Sequence, residues 1–190
     1  MRQLSDEEIV ADSTATPTAA PVQQRRSWLR WAIGASIVGL LLCLALGGLR
    51  LSFTLFRNGG DGMVPTVTDR QMLVVNRLSY ARGGTPQRGD LIVFEAPLRP
   101  RAIYVKRIIA LPGDTVAIRQ GLVSINGQPI DEPYINARTT YQYPLAGQGP
   151  MTIPDGHVFV LGDNRNNSAD SHVYGPVAID AIIGKASALR

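Results

Sequence analysis

Between Trp31 and Leu49 the chain carries 19 residues without a charge, Trp-Ala-Ile-Gly-Ala-Ser-Ile-Val-Gly-Leu-Leu-Leu-Cys-Leu-Ala-Leu-Gly-Gly-Leu. At a rise of about 1.5 Å per residue such a helix reaches roughly 28 Å, close to the hydrocarbon thickness of a bilayer. A buried core helix has no need to be apolar all round. A cleaved leader has a shorter apolar region and a small-x-small cleavage site. Cys43 follows Leu40-Leu41-Leu42, so the small residue that a lipoprotein site wants before its cysteine is missing. The run therefore predicts an uncleaved transmembrane helix. Arg25, Arg26 and Arg30 precede it and Arg50 and Arg57 follow it. The positive-inside rule then predicts a cytoplasmic N-terminus, with Trp28 and Trp31 suited to the interface at that end. No second run of spanning length follows, so everything after about residue 50 is expected on the other side of the plasma membrane, outside the cytoplasm. The expected division is a flexible tail over 1–27, an anchor over 28–50 and an extracytoplasmic body over 51–190. In the tail, Pro17 and Pro21 interrupt any helix, and Ser5 with Glu8 makes an isolated capping-box signal.

Composition narrows the function classes. The chain has 190 residues and a formal net charge of +4, but no clustered run of Lys and Arg, so nucleic acid is not expected as a partner. A mildly basic membrane protein, with the lipid bilayer as its partner, fits better. One cysteine excludes an intramolecular disulfide. Two distant histidines and that cysteine give no metal-ligand spacing, so neither metal nor cofactor is expected.

Beyond the anchor the pattern changes to short β runs. Strands are expected over 71–80, 90–95, 102–110, 115–119, 122–125, 157–161 and 178–183. The turns between them are marked by Pro112-Gly113, Gln120-Gly121 and Asn126-Gly127, the last being the dipeptide that favours a type I′ hairpin. Residues 131–150 read as a long polar loop. Strands with Gly and Pro turns and no amphipathic helix predict a mostly-β body.

Four boxes stand in that body. They are Gly62-Met63-Val64-Pro65-Thr66; Arg88-Gly89-Asp90-Leu91-Ile92-Val93-Phe94; Tyr104-Val105-Lys106-Arg107 running on to Leu111-Pro112-Gly113-Asp114; and Gly162-Asp163-Asn164-Arg165-Asn166-Asn167-Ser168-Ala169-Asp170-Ser171. In this order, behind an apolar anchor, they resemble the bacterial signal peptidase I family, membrane serine peptidases with a Ser-Lys dyad. The resemblance covers roughly residues 28–187 and implies a signal-peptidase-type β-fold body. It also implies a role in cutting the signal peptides of exported proteins.

By this resemblance Lys106 takes the place of the general base. The chemistry is coherent, because burial disfavours an ammonium and frees the amine to accept a proton. Tyr104, Val105, Ile108 and Ile109 are the expected apolar setting. Lys106 and Arg107, adjacent on a strand, point to opposite faces, so one can be buried while the other meets solvent. Ser168 matches a serine that orients the lysine amine. Asp163, Arg165 and Asp170 match a polar cluster that shapes the site. Met63 and Pro65 fall in the expected substrate-binding region. His172 stands where the family usually has an arginine paired with the second aspartate. The resemblance leaves two outcomes for that pair, a pH-sensitive link or its loss.

The departure that matters is Gly62, at the position of the nucleophilic serine. A glycine offers no hydroxyl, though its backbone N–H can still serve an oxyanion hole. Thr66 and Thr68 are the nearest hydroxyls in sequence. The chain as written is therefore expected to have little or no peptidase activity. A non-catalytic homologue that binds signal peptides or assists surface-protein assembly is the alternative. A self-cleaving regulator of the related Ser-Lys class ranks last, since it too lacks its serine and has no use for the anchor.

Overall fold

In a computed structural model of the chain, residues 22–80, 84–99, 101–140, 142–143 and 149–189 are described. The expected tail over 1–21, with its capping-box signal, lies outside them. Helix α1 spans Val22–Ser52 and so begins inside the segment expected as tail. It contains one span, Trp28–Gly48, long and apolar enough to cross a membrane, and its apolar side chains there are exposed. The chain divides into two units, Met1–Ala45 and Leu46–Arg190.

The second unit is built of antiparallel strands. They are β1 (Phe53–Arg57), β2 (Met72–Asn76), β3 (Leu91–Glu95), β4 (Ile103–Ala110), β5 (Thr115–Arg119), β6 (Leu122–Ile125), β7 (Gln128–Pro129), β8 (Met151–Thr152), β9 (His157–Leu161), β10 (Val177–Ala178) and β11 (Ile182–Ala188), with a one-turn helix α2 (Ser171–Tyr174). Seven of them form one sheet in the order β1-β2-β11-β3-β4-β9-β10, and four form a second in the order β7-β6-β5-β8. The body is mostly β, as the strand runs predict.

The hairpins follow from backbone chemistry. Asn126 and Gly127 both have positive φ, 53° and 81°, and so do Gln120 and Gly121, at 51° and 75°. Positive φ at both central residues is what a type I′ turn requires, and its twist matches that of the flanking strands. The apolar face of β5 and β6 closes over Phe159 and Leu161 of β9, with Ile118 and Val123 in that cluster. A second cluster, including Met63, Val67, Leu73, Val75, Val93 and Val105, lies under the central strands.

Three readings from the sequence need correction. The expected strand over 178–183 is two strands separated by a 3₁₀ turn at Ile179–Ala181, with β10 pairing β9 and β11 inserted between β2 and β3. Most of β11 is Gly184-Lys185-Ala186-Ser187-Ala188, weak strand formers, so its pairing is set by tertiary context. Strand β1 was not expected, because Phe53 follows the apolar helix with no turn residue between them. The polar loop after 130 is not a free insertion. Thr140 N–H donates to Asn166 Oδ1 (2.8 Å), and Tyr143 bridges backbone to backbone with Ile118.

Candidate active site

The box at 62–66 is a tight turn rather than a strand. Asn58 ties its loop, donating from Nδ2 to the carbonyls of Gly60 (2.8 Å) and Thr68 (2.9 Å). The Val67 N–H donates to Met63 O (2.9 Å), so Met63 and Val67 lie one turn apart. Both side chains are driven into the core beneath β2, β3 and β4. That anchorage fixes the backbone of Gly62. It also separates the expected binding residues. Met63 is buried and forms part of the cleft lining, whereas Pro65, two residues on, faces solvent outside that lining.

Lys106 reaches Gly62 from β4. The register pairs it with Ile92 on β3, and its neighbour on the same face, Tyr104, with Phe94. Ile92 and Phe94 are fully buried, so the lysine rises from an apolar floor and is itself only 7% exposed. Its Nζ lies 5.6 Å from the centre of the Tyr104 ring. Burial holds the lysine pKa below its ordinary value, and the Asp170 and Asp163 carboxylates partly oppose that shift. A Cβ built on Gly62 would lie 2.9 Å from Lys106 Nζ, 3.5 Å from Ser168 Oγ and 3.7 Å from the Asn167 carbonyl oxygen. Position 62, the lysine amine and the Ser168 hydroxyl therefore converge. Ser168 Oγ is buried and has no hydrogen-bond partner among the described residues. The bond from this hydroxyl to the lysine amine, implied by the resemblance, is not formed.

The loop 162–170 forms the opposite wall. Gly162 N–H donates to Asp170 Oδ2 (2.9 Å), and Arg165 Nε donates back to Gly162 O (3.0 Å). The two loops are laced together where Asn164 N–H donates to Gly62 O (3.1 Å) and Asn164 Nδ2 to Asp61 O (3.0 Å). The Gly62 N–H has no acceptor among the described residues. Any Cβ on Gly162 would collide with Ser168 Oγ and Gly62 O, so only glycine fits there. Asp170 also caps α2 and holds His172, whose Nδ1 lies 2.6 Å from Asp170 Oδ1. Positions 170 and 172 are therefore in contact, with the His172 ring where the resemblance places an arginine.

Arg107 does not meet solvent as one of the two adjacent cations was expected to. Its side chain is 11% exposed and grips the fully buried Asp163 through Nε (2.9 Å) and a terminal nitrogen (2.6 Å). The guanidinium stacks on Tyr134 at 4.0 Å and donates to Thr66 Oγ1 (3.3 Å). Thr66 thus belongs to the face of β4 opposite Lys106, while Thr68 bonds to Gln71. Neither threonine replaces the missing serine. Arg165, almost fully buried, donates two hydrogen bonds to the Glu132 carboxylate at 2.8 and 2.5 Å. Glu132 and Tyr134 escaped the sequence reading because they reach the site from 30 residues away, with no motif around them. Gly62, Met63, Tyr104, Lys106 and Ser168 line one cleft of about 500 Å³, with Arg57, Arg99 and Arg101 on its walls.

Comparison with known proteins gives the family of the chain. The family model described as signal peptidase, peptidase S26, matches residues 28–189. A signal peptidase I of Leptolyngbya laminosa is 38% identical over 90% of this chain and 85% of its own length. Signal peptidase I S of Bacillus subtilis strain 168 is 36% identical over 79% of this chain and 81% of its own. A crystal structure of a signal peptidase I from Enterococcus faecalis V583 is 35% identical, with a TM-score of 0.48, covering 53% of this chain and 96% of that one. The chain belongs to the signal peptidase family, peptidase S26.

Proposed function

We propose that this chain is a signal peptidase I-type membrane protein whose cleft receives signal peptides of exported proteins but which, with Gly62 at the nucleophile position, does not cleave them. The observation that carries the reading is the 2.9 Å between a Cβ at position 62 and Lys106 Nζ. The φ of Gly62 is not positive, and the one close contact is the far end of a flexible side chain. A serine would fit with a small shift of the amine. Nothing structural calls for glycine here, in contrast to Gly162.

With a serine in place the chemistry is complete. Its Oγ attacks the scissile carbonyl while Lys106 Nζ takes the proton. In this reading the N–H of residue 62 donates to the developing oxyanion. The C–N bond breaks as the lysine ammonium returns the proton to the leaving amine, and water then hydrolyses the acyl-enzyme with the same base. Glycine removes the attacking atom. Removing a nucleophilic serine from a hydrolase costs on the order of 10⁶ in turnover. The substrate segment is an extended peptide laid as a strand beside the site. The α1 span anchors the chain in the plasma membrane, N-terminus in the cytoplasm and body outside.

The second reading, a binding module for signal peptides or for surface-protein assembly, is favoured by Gly62 itself. It shares the cleft and differs in what Gly62→Ser does. Photo-crosslinking of a preprotein to the purified chain tests the shared part. We expect capture of the signal peptide without cleavage. Cleavage that disappears in Lys106→Ala would overturn the claim of inactivity.

A further inference from the structure

The cleft has a charge pattern that its chemistry does not use. Arg57, at the end of β1, and Arg99 and Arg101, in the β3–β4 turn, line it together with Lys106, and no Asp or Glu is among its lining residues. All three arginines are exposed, and none forms an ion pair with a carboxylate among the described residues. Elsewhere in the body Arg70, Arg88, Arg107 and Arg165 each pair with an acid, whereas Arg77, Arg119 and Arg138 form no ion pair among the described residues. Of the acids near these residues in sequence, Asp61 is exposed with no side-chain partner among the described residues, and two are engaged. Glu95 accepts from the Arg101 backbone N–H (3.3 Å), and Asp69 accepts from Gly60 N–H (2.8 Å) and pairs with Arg70.

The turn that presents two of these arginines is braced. Ala96 N–H donates to Ala102 O (2.8 Å), Arg99 N–H to Ala96 O (3.3 Å) and Ala102 N–H to Arg99 O (3.0 Å). Arg101 sits at a φ of 69°, a left-handed conformation that non-glycine residues avoid unless the surroundings impose it. Three cations on the walls of a concave site raise the local concentration of anions and penalise cations. An arginine fork also matches a carboxylate in a bidentate fashion.

We propose that Arg57, Arg99 and Arg101 make this cleft selective for peptides that carry an Asp or Glu beside the segment to be cut and reject peptides with Lys or Arg there. This rests on the reading of the cleft as a signal-peptide site and adds a specificity that the boxes do not encode. The occupant is a peptide rather than a lipid headgroup because the arginines share one cleft with Lys106 and position 62.

The test uses the full chain in a nonionic detergent, where no phospholipid is present to occupy the arginines. Affinities are measured for three preprotein peptides that differ at one residue beside the scissile bond, Asp, Asn or Lys. The expected order is Asp tighter than Asn by about 5-fold, the scale of one partly exposed ion pair, with Lys weakest. The difference should shrink at high salt and vanish in Arg57→Gln/Arg99→Gln/Arg101→Gln. Equal binding of all three peptides, with equal kcat/KM for all three in Gly62→Ser, would overturn this proposal alone. If no peptide binds and Gly62→Ser cleaves none, the signal-peptide reading falls and takes the proposal with it. If the peptides bind equally and the triple variant changes only retention on phosphatidylglycerol vesicles, the arginines serve lipid and the proposal is overturned.

Discussion

A lysine amine acts as a base only where its ammonium is made unfavourable, and at Lys106 that work is done by the floor of Ile92 and Phe94. Because burial lowers its pKa from 10.5, activity in Gly62→Ser should rise with pH as the amine loses its proton, with a midpoint below 10.5. A kcat/KM profile that rises only above that value would contradict the assignment. The same shift is a stability statement. The unfolded lysine binds its proton more tightly, so this contribution is full above pH 10.5 and is lost as pH falls toward the folded pKa. Lys106→Met should therefore raise Tm by a few degrees at neutral pH in thermal melts, because it removes a buried group whose unfolded form binds its proton more tightly. The lysine, the serine and the aspartates of the site were legible because they sit in short boxes. Glu132 was not, because its partner Arg165 is 33 residues away and is found only by folding. Glu132→Ala, which breaks a buried pair, should cost about 3–5 kcal/mol in denaturant unfolding.

Elements fixed by local chemistry are visible in the sequence, and those fixed by tertiary context are not. The hairpins at Gln120-Gly121 and Asn126-Gly127 were visible because glycine and asparagine accept the left-handed backbone that such turns need. Gly127→Ala should destabilise the body by about 1–2 kcal/mol, the penalty of a Cβ at positive φ, measured by urea unfolding. Strand β11 was partly hidden because most of its residues are small and poor strand formers, yet it pairs with both β2 and β3 in the large sheet. The loop 162–170 shows how an element shapes a site. Asp170 binds the Gly162 N–H, caps α2 and holds His172 at once. Removing the imidazole leaves the buried Asp170 short of one partner. His172→Ala should slow Gly62→Ser more than His172→Arg does, read as kcat at fixed substrate saturation.

For the whole molecule, the apolar span Trp28–Gly48 and the β body were both apparent from pattern alone, one by its uncharged length and the other by its period and turns. The account predicts that the chain stays in the membrane pellet after alkaline carbonate extraction, and that protease added outside the cell digests the body. It also predicts a cleft complete except for one atom. The direct test is cleavage of a preprotein in liposomes by three folded proteins: the chain as it stands, Gly62→Ser, and Gly62→Ser with Lys106→Ala. The account predicts cleavage by Gly62→Ser alone. Cleavage by the chain as it stands, or failure of folded Gly62→Ser to cleave, would contradict it.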